Sequence, residues 1–269
     1  MLSIDKILYG SANTRKTKMS LASNHILPHI QVWLEDHEVE EIGEEFFIWM
    51  LHRWEESELK VGTIKQLFSL LKLYIKVWTN KDYNLSRIQR TLVTPQAEVK
   101  AWTKGEAKQA LAHSYHLDKE LHDMILISLH TGMRKGEMFG LTWEDIDFVS
   151  GKIKITKSYK GSTKNNKARS IVMTQPVEEM LMKRYTVGGE HNLLFRICDP
   201  NPRLKQLCDI ANIKKITWHG LRHTFASLAL DSGMNLKSVA TLMGHSKVST
   251  LVDTYWNKLD EVTDLNFVP

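Results

Sequence analysis

Apolar residues return at helical spacing through most of this chain, and the clearest run is Val61, Ile64, Leu67, Phe68, Leu71, Ile75 and Trp78. Steps of three and four put these side chains on one stripe, so the spacing predicts an amphipathic helix over 61–78. Lys65, Lys72 and Lys76 fall on another face of it. Stretches around 21–34 and 44–54 also read as helices, which makes the first ninety or so residues a small all-helical unit. The polar run across 80–100 holds Pro95 and sustains no period, so a connection belongs there. We place a first domain at 1–90, the connection at 91–100 and a second domain at 101–269.

The second domain opens with helices predicted at 103–114 and 119–131. Thr131-Gly132 provides a stop for the latter, because glycine at the end of a helix adopts the left-handed conformation without steric cost. A short helix runs from Arg134 to Phe139. The period then changes. IDF, KIKIT and RSIVM are short β-branched runs separated by Gly151 and by a basic turn, and they predict a small three-stranded sheet. From Pro176 onward helices return at 177–186, 201–211, 218–231, 235–243 and about 248–256, with Gly188, Gly189, Gly233 and Gly244 as stops. No internal repeat is visible. The expected fold class is mainly α with a small antiparallel sheet.

Composition narrows the function classes. With 269 residues, 42% hydrophobic and 25% charged, the chain has the make-up of an ordinary globular protein with enough apolar residues for a sizeable core. No apolar run reaches the roughly 18–20 residues needed to cross a bilayer, and MLSIDKILYG lacks the features of a signal peptide, so a cytoplasmic location and no membrane partner are expected. Cys198 and Cys208 are the only cysteines. They show no metal-ligand spacing and are expected to be packing residues rather than a disulfide pair or a zinc site. There is no GxxxxGK[ST] loop, no GxGxxG and no carboxylate cluster of the two-metal kind, so no cofactor is expected.

Charge is mild in sum, +5, but uneven in place. Residues 35–58 hold ten acids against Arg53, whereas 152–169 hold Lys152, Lys154, Lys157, Lys160, Lys164, Lys167 and Arg169 with no acid. Basic clustering of this kind suits a phosphate-bearing partner, which releases counterions as it binds. A solvated lysine-rich hairpin explains the same segment equally well.

Several short stretches put chemistry-bearing residues at the ends of apolar runs. In TGMRKGEMFG, Arg134 and Glu137 follow directly on a helix stop. In TWHGLRHTFASLALDSG, Leu221, Phe225, Leu228 and Ala229 form a buried stripe, while His219 and Arg222, three apart, share a neighbouring face and together suit a phosphate. His223 points about 100° away from Arg222 and reads as the structural histidine of the two. In LMGHSKVSTLVDTYW, His245 follows Gly244 and Tyr255 comes ten residues later.

GMRKGE, a basic hairpin, HGLRH, GHS and the following tyrosine agree in type, order and spacing with the catalytic domain of the tyrosine recombinases, or phage integrase family, which residues 100–260 closely resemble. The resemblance implies a helical core-binding domain and a mixed catalytic domain that together clamp double-stranded DNA. It implies Arg134 and Arg222 as the two arginines, Lys164 as the hairpin lysine, His219 and His245 as further site residues, and Tyr255 as the nucleophile. Plain chemistry is consistent with these roles. Two guanidinium forks suit the charge that builds on non-bridging oxygens. A tyrosine of pKa ~10 needs a base or cations nearby, for which His219 is the natural candidate. The departing 5′-oxygen needs a proton, assigned to Lys164 with Lys167 as the alternative; Val172 or Met173 stands where the family often has proline.

Glu137, one turn after Arg134, is expected to hold a neighbouring arginine or catalytic side chain in place. The further expected DNA contacts are Lys65, Lys72, Lys76, Lys160, Lys167 and Arg169. The implied partners are a specific recombination site, a dimer per site, a tetramer when two sites synapse, and a directionality factor. The tail carrying Leu265, Phe267 and Val268 suits docking on a neighbouring protomer or folding back on its own domain. The layout is nearer the Xer and Cre kind than the lambda kind, while the motifs look more like those of mobile-element integrases. Integration or excision is therefore the first reading. Xer-like resolution of multimers is the second, and a lapsed DNA-binding protein on this scaffold is a third.

Overall fold

The structure is a computed structural model that describes residues 7–92, 100–159, 161–162, 168–188 and 192–244. It divides into two compact units, Met1–Ala97 and Glu98–Pro269. It is mainly helical with a small antiparallel sheet.

The first unit is built from α1 (Ala12–His25), α2 (Leu27–Asp36), α3 (Glu44–Glu56), α4 (Val61–Thr79) and α5 (Ser86–Thr91). Ser11 caps α1, its hydroxyl accepting from the Thr14 amide. The single helix expected over 21–34 is two helices meeting at Ile26, because Pro28 in the first turn of α2 has no amide hydrogen to continue α1 and is favoured at a helix start. α4 has the predicted extent within a residue and buries Ile64, Leu67, Phe68, Leu70, Leu71, Tyr74 and Ile75. Phe46, Phe47 and Trp54 complete the centre of this core, and the Trp54 indole donates to the His25 carbonyl at 2.8 Å. Part of the segment read as a connection is core: Leu85, Ile88 and Leu92 are buried with α5.

The second unit opens where the Trp102 amide donates to Thr224 Oγ1 and the Trp102 indole to the Lys214 carbonyl. α6 (Lys104–Leu117) starts on a reciprocal Thr103–Glu106 cap. α7 (Lys119–Thr131) is capped by Asp118, buries Leu121, Met124, Ile125, Leu126 and Ile127, and packs against α6 and against the later helices Gln175–Gly188 and Trp218–Asp231. After it come α8 (Lys135–Met138), β1 (Ile146–Asp147), β2 (Lys152–Ile155), β3 (Lys157–Ser158), β4 (Gly161–Ser162) and β5 (Arg169–Val172). α9 (Gln175–Gly188), α10 (Asn201–Ile210), α11 (Trp218–Asp231) and α12 (Leu236–Met243) follow.

The expected sheet is present, antiparallel in the order β1-β2-β5, with Ile153 opposite Ile171 and Ile155 opposite Arg169. The β3–β4 ribbon was not expected. It continues the hairpin outward, and its root lies on α8, where the Tyr159 amide donates to the Gly136 carbonyl at 2.9 Å. That approach requires Gly140, since a Cβ there would stand 2.8 Å from the backbone of Ser158 and Tyr159. Cys208 packs in the core as expected; Cys198 is exposed, contrary to expectation. Among the described residues no helix is long and apolar enough to cross a membrane. The helix expected at 248–256 and the tail with Leu265, Phe267 and Val268 lie outside the described residues.

Candidate functional site

Gly132 ends α7 in the left-handed conformation, φ +59°, and turns the chain so that Arg134 stands at the start of α8. α11 lies against this turn. Arg222, buried on α11, donates from Nη1 to the Gly132 carbonyl at 2.7 Å, and the Phe225 ring one turn on covers the Gly132 α-carbon. One end of α7 thus receives Arg222 and leads directly into Arg134, although the two arginines are far apart in sequence.

Glu137 organises the other side of Arg134. Its carboxylate is 2% exposed and takes four hydrogen bonds: from the Arg134 amide and Nη1, at 2.8 and 2.9 Å, and from Arg169 Nη1 and Nη2, at 3.1 and 2.7 Å. Burial pushes this carboxyl up, but the hydrogen bonds and charges of Arg169 and Arg134 more than offset it, and the group titrates below the usual glutamate range. Breaking a buried ion pair by removing one partner costs about 3–5 kcal/mol, far more than the few tenths of an exposed i,i+3 pair. The sequence expectation for Glu137 as a holder of arginines agrees with this geometry.

Arg169, expected as a DNA contact, is turned inward in the structure. Its side chain is 11% exposed, bound to Glu137 and to the Leu242 carbonyl. The reason lies in the strand. Residues alternate across β5, and Arg169 shares the side of buried Ile171, while Ser170 and Val172 face out. That alternation was available in the sequence, but a grouping of cations by position along the chain conceals it.

On α11, His219 is exposed and His223 half-buried, their rings 4.8 Å apart and edge to face. Burial first, then the charges of His219 and Arg222, lower the His223 pKa to about 4, so it is a neutral ring at neutral pH. Lys160, Lys164, Lys167, His245 and Tyr255 lie outside the described residues. Gly244, which precedes His245, accepts from Arg134 Nη2 at 3.2 Å.

In the first unit Lys65, Lys72 and Lys76 line one face of α4 as expected. Lys72 and Lys76 share an exposed partner, Asp82, whereas Lys65 borders a groove of about 630 Å³ between α1 and α4 together with Lys18 and Tyr9.

The sequence model of the phage integrase family matches residues 100–261, the stretch that carries Arg134, Glu137, Arg169 and Arg222. The chain belongs to the phage integrase family. Within it, tyrosine recombinase XerC of Staphylococcus aureus is 28% identical over 211 residues, 72% of this chain and 70% of that protein. A XerC-like tyrosine recombinase of Caldanaerobacter subterraneus subsp. tengcongensis is 23% identical over 243 residues, and the chain spans 61% of its length. Among solved structures, the Tn1549 transposon integrase in complex with transposon right end DNA superposes with a TM-score of 0.75 at 19% identity, covering 96% of both chains. A lambda integrase dimer bound to a COC′ core site gives 0.70 at 17% identity over 93% of this chain and 76% of that one. At these identities the structural likeness establishes the integrase fold.

Proposed function

We propose that the protein is a site-specific DNA recombinase that cuts and rejoins strands through Tyr255. Arg134, Arg222 and His245 neutralise the non-bridging oxygens as the pentacoordinate phosphorus forms. The phenolic oxygen of Tyr255 attacks, its proton passing to His219. The 5′-oxygen leaves with a proton from Lys164, which yields a 3′-phosphotyrosyl bond and a free 5′-hydroxyl. Attack by a 5′-hydroxyl of another strand reverses the step and joins exchanged partners, so no external energy source is required. What carries this reading is the meeting of Arg222 with the Gly132 turn that presents Arg134.

Double-stranded DNA with a specific site is the proposed partner, bound as a dimer per site and a tetramer at synapsis, with integration or excision of a mobile element as the role. Structures of the Tn1549 transposon integrase on DNA and of a lambda integrase dimer on its core site support that choice. Resolution of chromosome or plasmid multimers is the second reading, favoured by the curated relatives named XerC.

The test uses a pool of nicked duplexes tiled across the DNA that flanks the gene, in which a cleaved strand end diffuses away and traps the intermediate. Wild type yields a slowly migrating covalent adduct on a denaturing gel, and Tyr255→Phe retains binding without the adduct. No adduct from any duplex, or one that persists in the variant, sinks the proposal.

A further inference from the structure

We infer that Arg169 is a positioning residue for the phosphate-activating half of this site, acting through Glu137 and the end of α12 rather than on DNA. The inference rests on the functional reading above, since it takes Arg134 to work on a phosphodiester.

Three segments meet at the Arg169 guanidinium. Nη1 and Nη2 hold the two oxygens of Glu137 on α8, and Nε donates to the Leu242 carbonyl at 2.8 Å. The last carbonyls of a helix have no partner within it and carry its negative end. α12 ends with both arginines on such groups, Arg169 on Leu242 and Arg134 on Gly244. Gly244 adopts φ +66°, and a Cβ there would lie 2.7 Å from Arg169 Nη1, so the turn is fitted around this side chain. Arg169 begins the strand that returns from the basic hairpin, Gly244 precedes His245, and Arg134 is itself a proposed phosphate ligand.

Charge gives the arrangement its use. Two arginines and one carboxylate sum to +2 − 1 = +1, so Glu137 cannot neutralise Arg134 while Arg169 occupies the same carboxylate. With Arg169 removed, Arg134 and Glu137 close into a neutral pair and the field offered to a phosphate falls. A carboxylate accepts about four hydrogen bonds, and the two arginines supply all four here. The fork is required for this. A lysine ammonium cannot span both carboxylate oxygens and the Leu242 carbonyl at once.

The experiment compares wild type with Arg169→Lys on the nicked duplex that gives the wild-type adduct, made in two forms. One has the ordinary 5′-oxygen at the scissile bond. The other has a bridging 5′-sulfur, which departs as a thiolate without needing a proton. Arg169→Lys is expected to cleave at least tenfold more slowly on both forms, with DNA affinity and its salt dependence unchanged. Recovery of the wild-type rate on the sulfur form would place Arg169 behind the proton donor and overturn the inference. So would a weaker, less salt-dependent affinity, which marks a phosphate contact, or an unaltered rate on oxygen. If Arg169→Lys does not fold, Arg169→Gln, which leaves Arg134 and Glu137 to close into a neutral pair, is held to the same outcomes. Failure of wild type to form any adduct would instead refute the recombinase reading.

Discussion

Arg222 and Gly132 are joined by a 2.7 Å hydrogen bond from Nη1 to the carbonyl oxygen, ninety residues apart in the chain. The same helix places the Phe225 ring where a side chain at Gly132 would have to go. The turn that aims Arg134 is therefore shaped by α11 at two points, and substitutions there report on both.

Gly132→Ala puts a Cβ 2.2 Å from Phe225 Cδ1 in a left-handed backbone, whereas Gly151→Ala meets the same backbone requirement, φ +64°, with nothing within 4 Å. The conformational penalty alone is about 1–2 kcal/mol, and overpacking adds about 1–3 kcal/mol. Urea titrations should show Gly132→Ala losing clearly more stability than Gly151→Ala. Equal losses would mean the Phe225 ring moves aside freely.

Arg222→Lys keeps the charge but replaces a planar fork by a single ammonium. It cannot hold the Gly132 carbonyl and offer a second donor to phosphate in the same geometry. Removing one donor that stabilises developing negative charge typically slows a reaction about 10²–10³-fold. Single-turnover cleavage should fall by about that factor while gel-shift affinity stays within a few-fold. A rate near wild type would take Arg222 out of the site.

How far the sequence foretold this site depended on whether a signal was local. The α4 stripe, the Thr131-Gly132 stop and the β-branched runs are local patterns, and each matched an element within a few residues. α1 was largely missed because ANTRKTKMSLASNH carries no apolar stripe; its start is marked by the Ser11 cap. Ribbon β3–β4 escaped because two-residue strands leave too few positions to show a period. Arg134, Glu137 and Arg222, which the structure brings to the two sides of one turn, were singled out by motif and spacing. The inward contacts of Arg169 were not legible because its partners lie on α8 and at the end of α12, and no linear pattern states that a cation facing the core will find a carboxylate there.

His223 makes stability depend on pH. Its folded pKa of about 4 lies below the ordinary 6.5, so the unfolded chain binds an extra proton between those values. The stabilisation is complete above pH 6.5 and is lost as pH falls towards 4. One proton corresponds to at most ~1.4 kcal/mol per pH unit, reduced here by solvent screening of a half-buried ring. Denaturation at pH 7, 6 and 5 should give a steeper decline for wild type than for His223→Gln. Parallel curves would show that the ring does not titrate in this window.

Asp82 decides whether the lysine stripe of α4 is available to a phosphate backbone. Lys76 and Lys72 both pair with it on the surface, and the Lys76 hydrogen bond, helped by the charges of both lysines, holds its carboxyl below the usual range. A DNA strand laid on this face must displace Asp82 from the lysines and sit beside its negative charge. Asp82→Asn removes both obstacles without touching the core. If the stripe meets DNA, the variant should bind a few-fold more tightly at low salt, and the slope of log affinity against log salt should steepen by up to about one per lysine released. Cleavage of bound DNA should be unchanged, because Asp82 lies in the first unit and every residue of the proposed cleavage site in the second. Identical salt slopes for wild type and Asp82→Asn would remove Lys72 and Lys76 from the interface and leave Lys65, which has no share in the Asp82 pair, as the candidate on that helix.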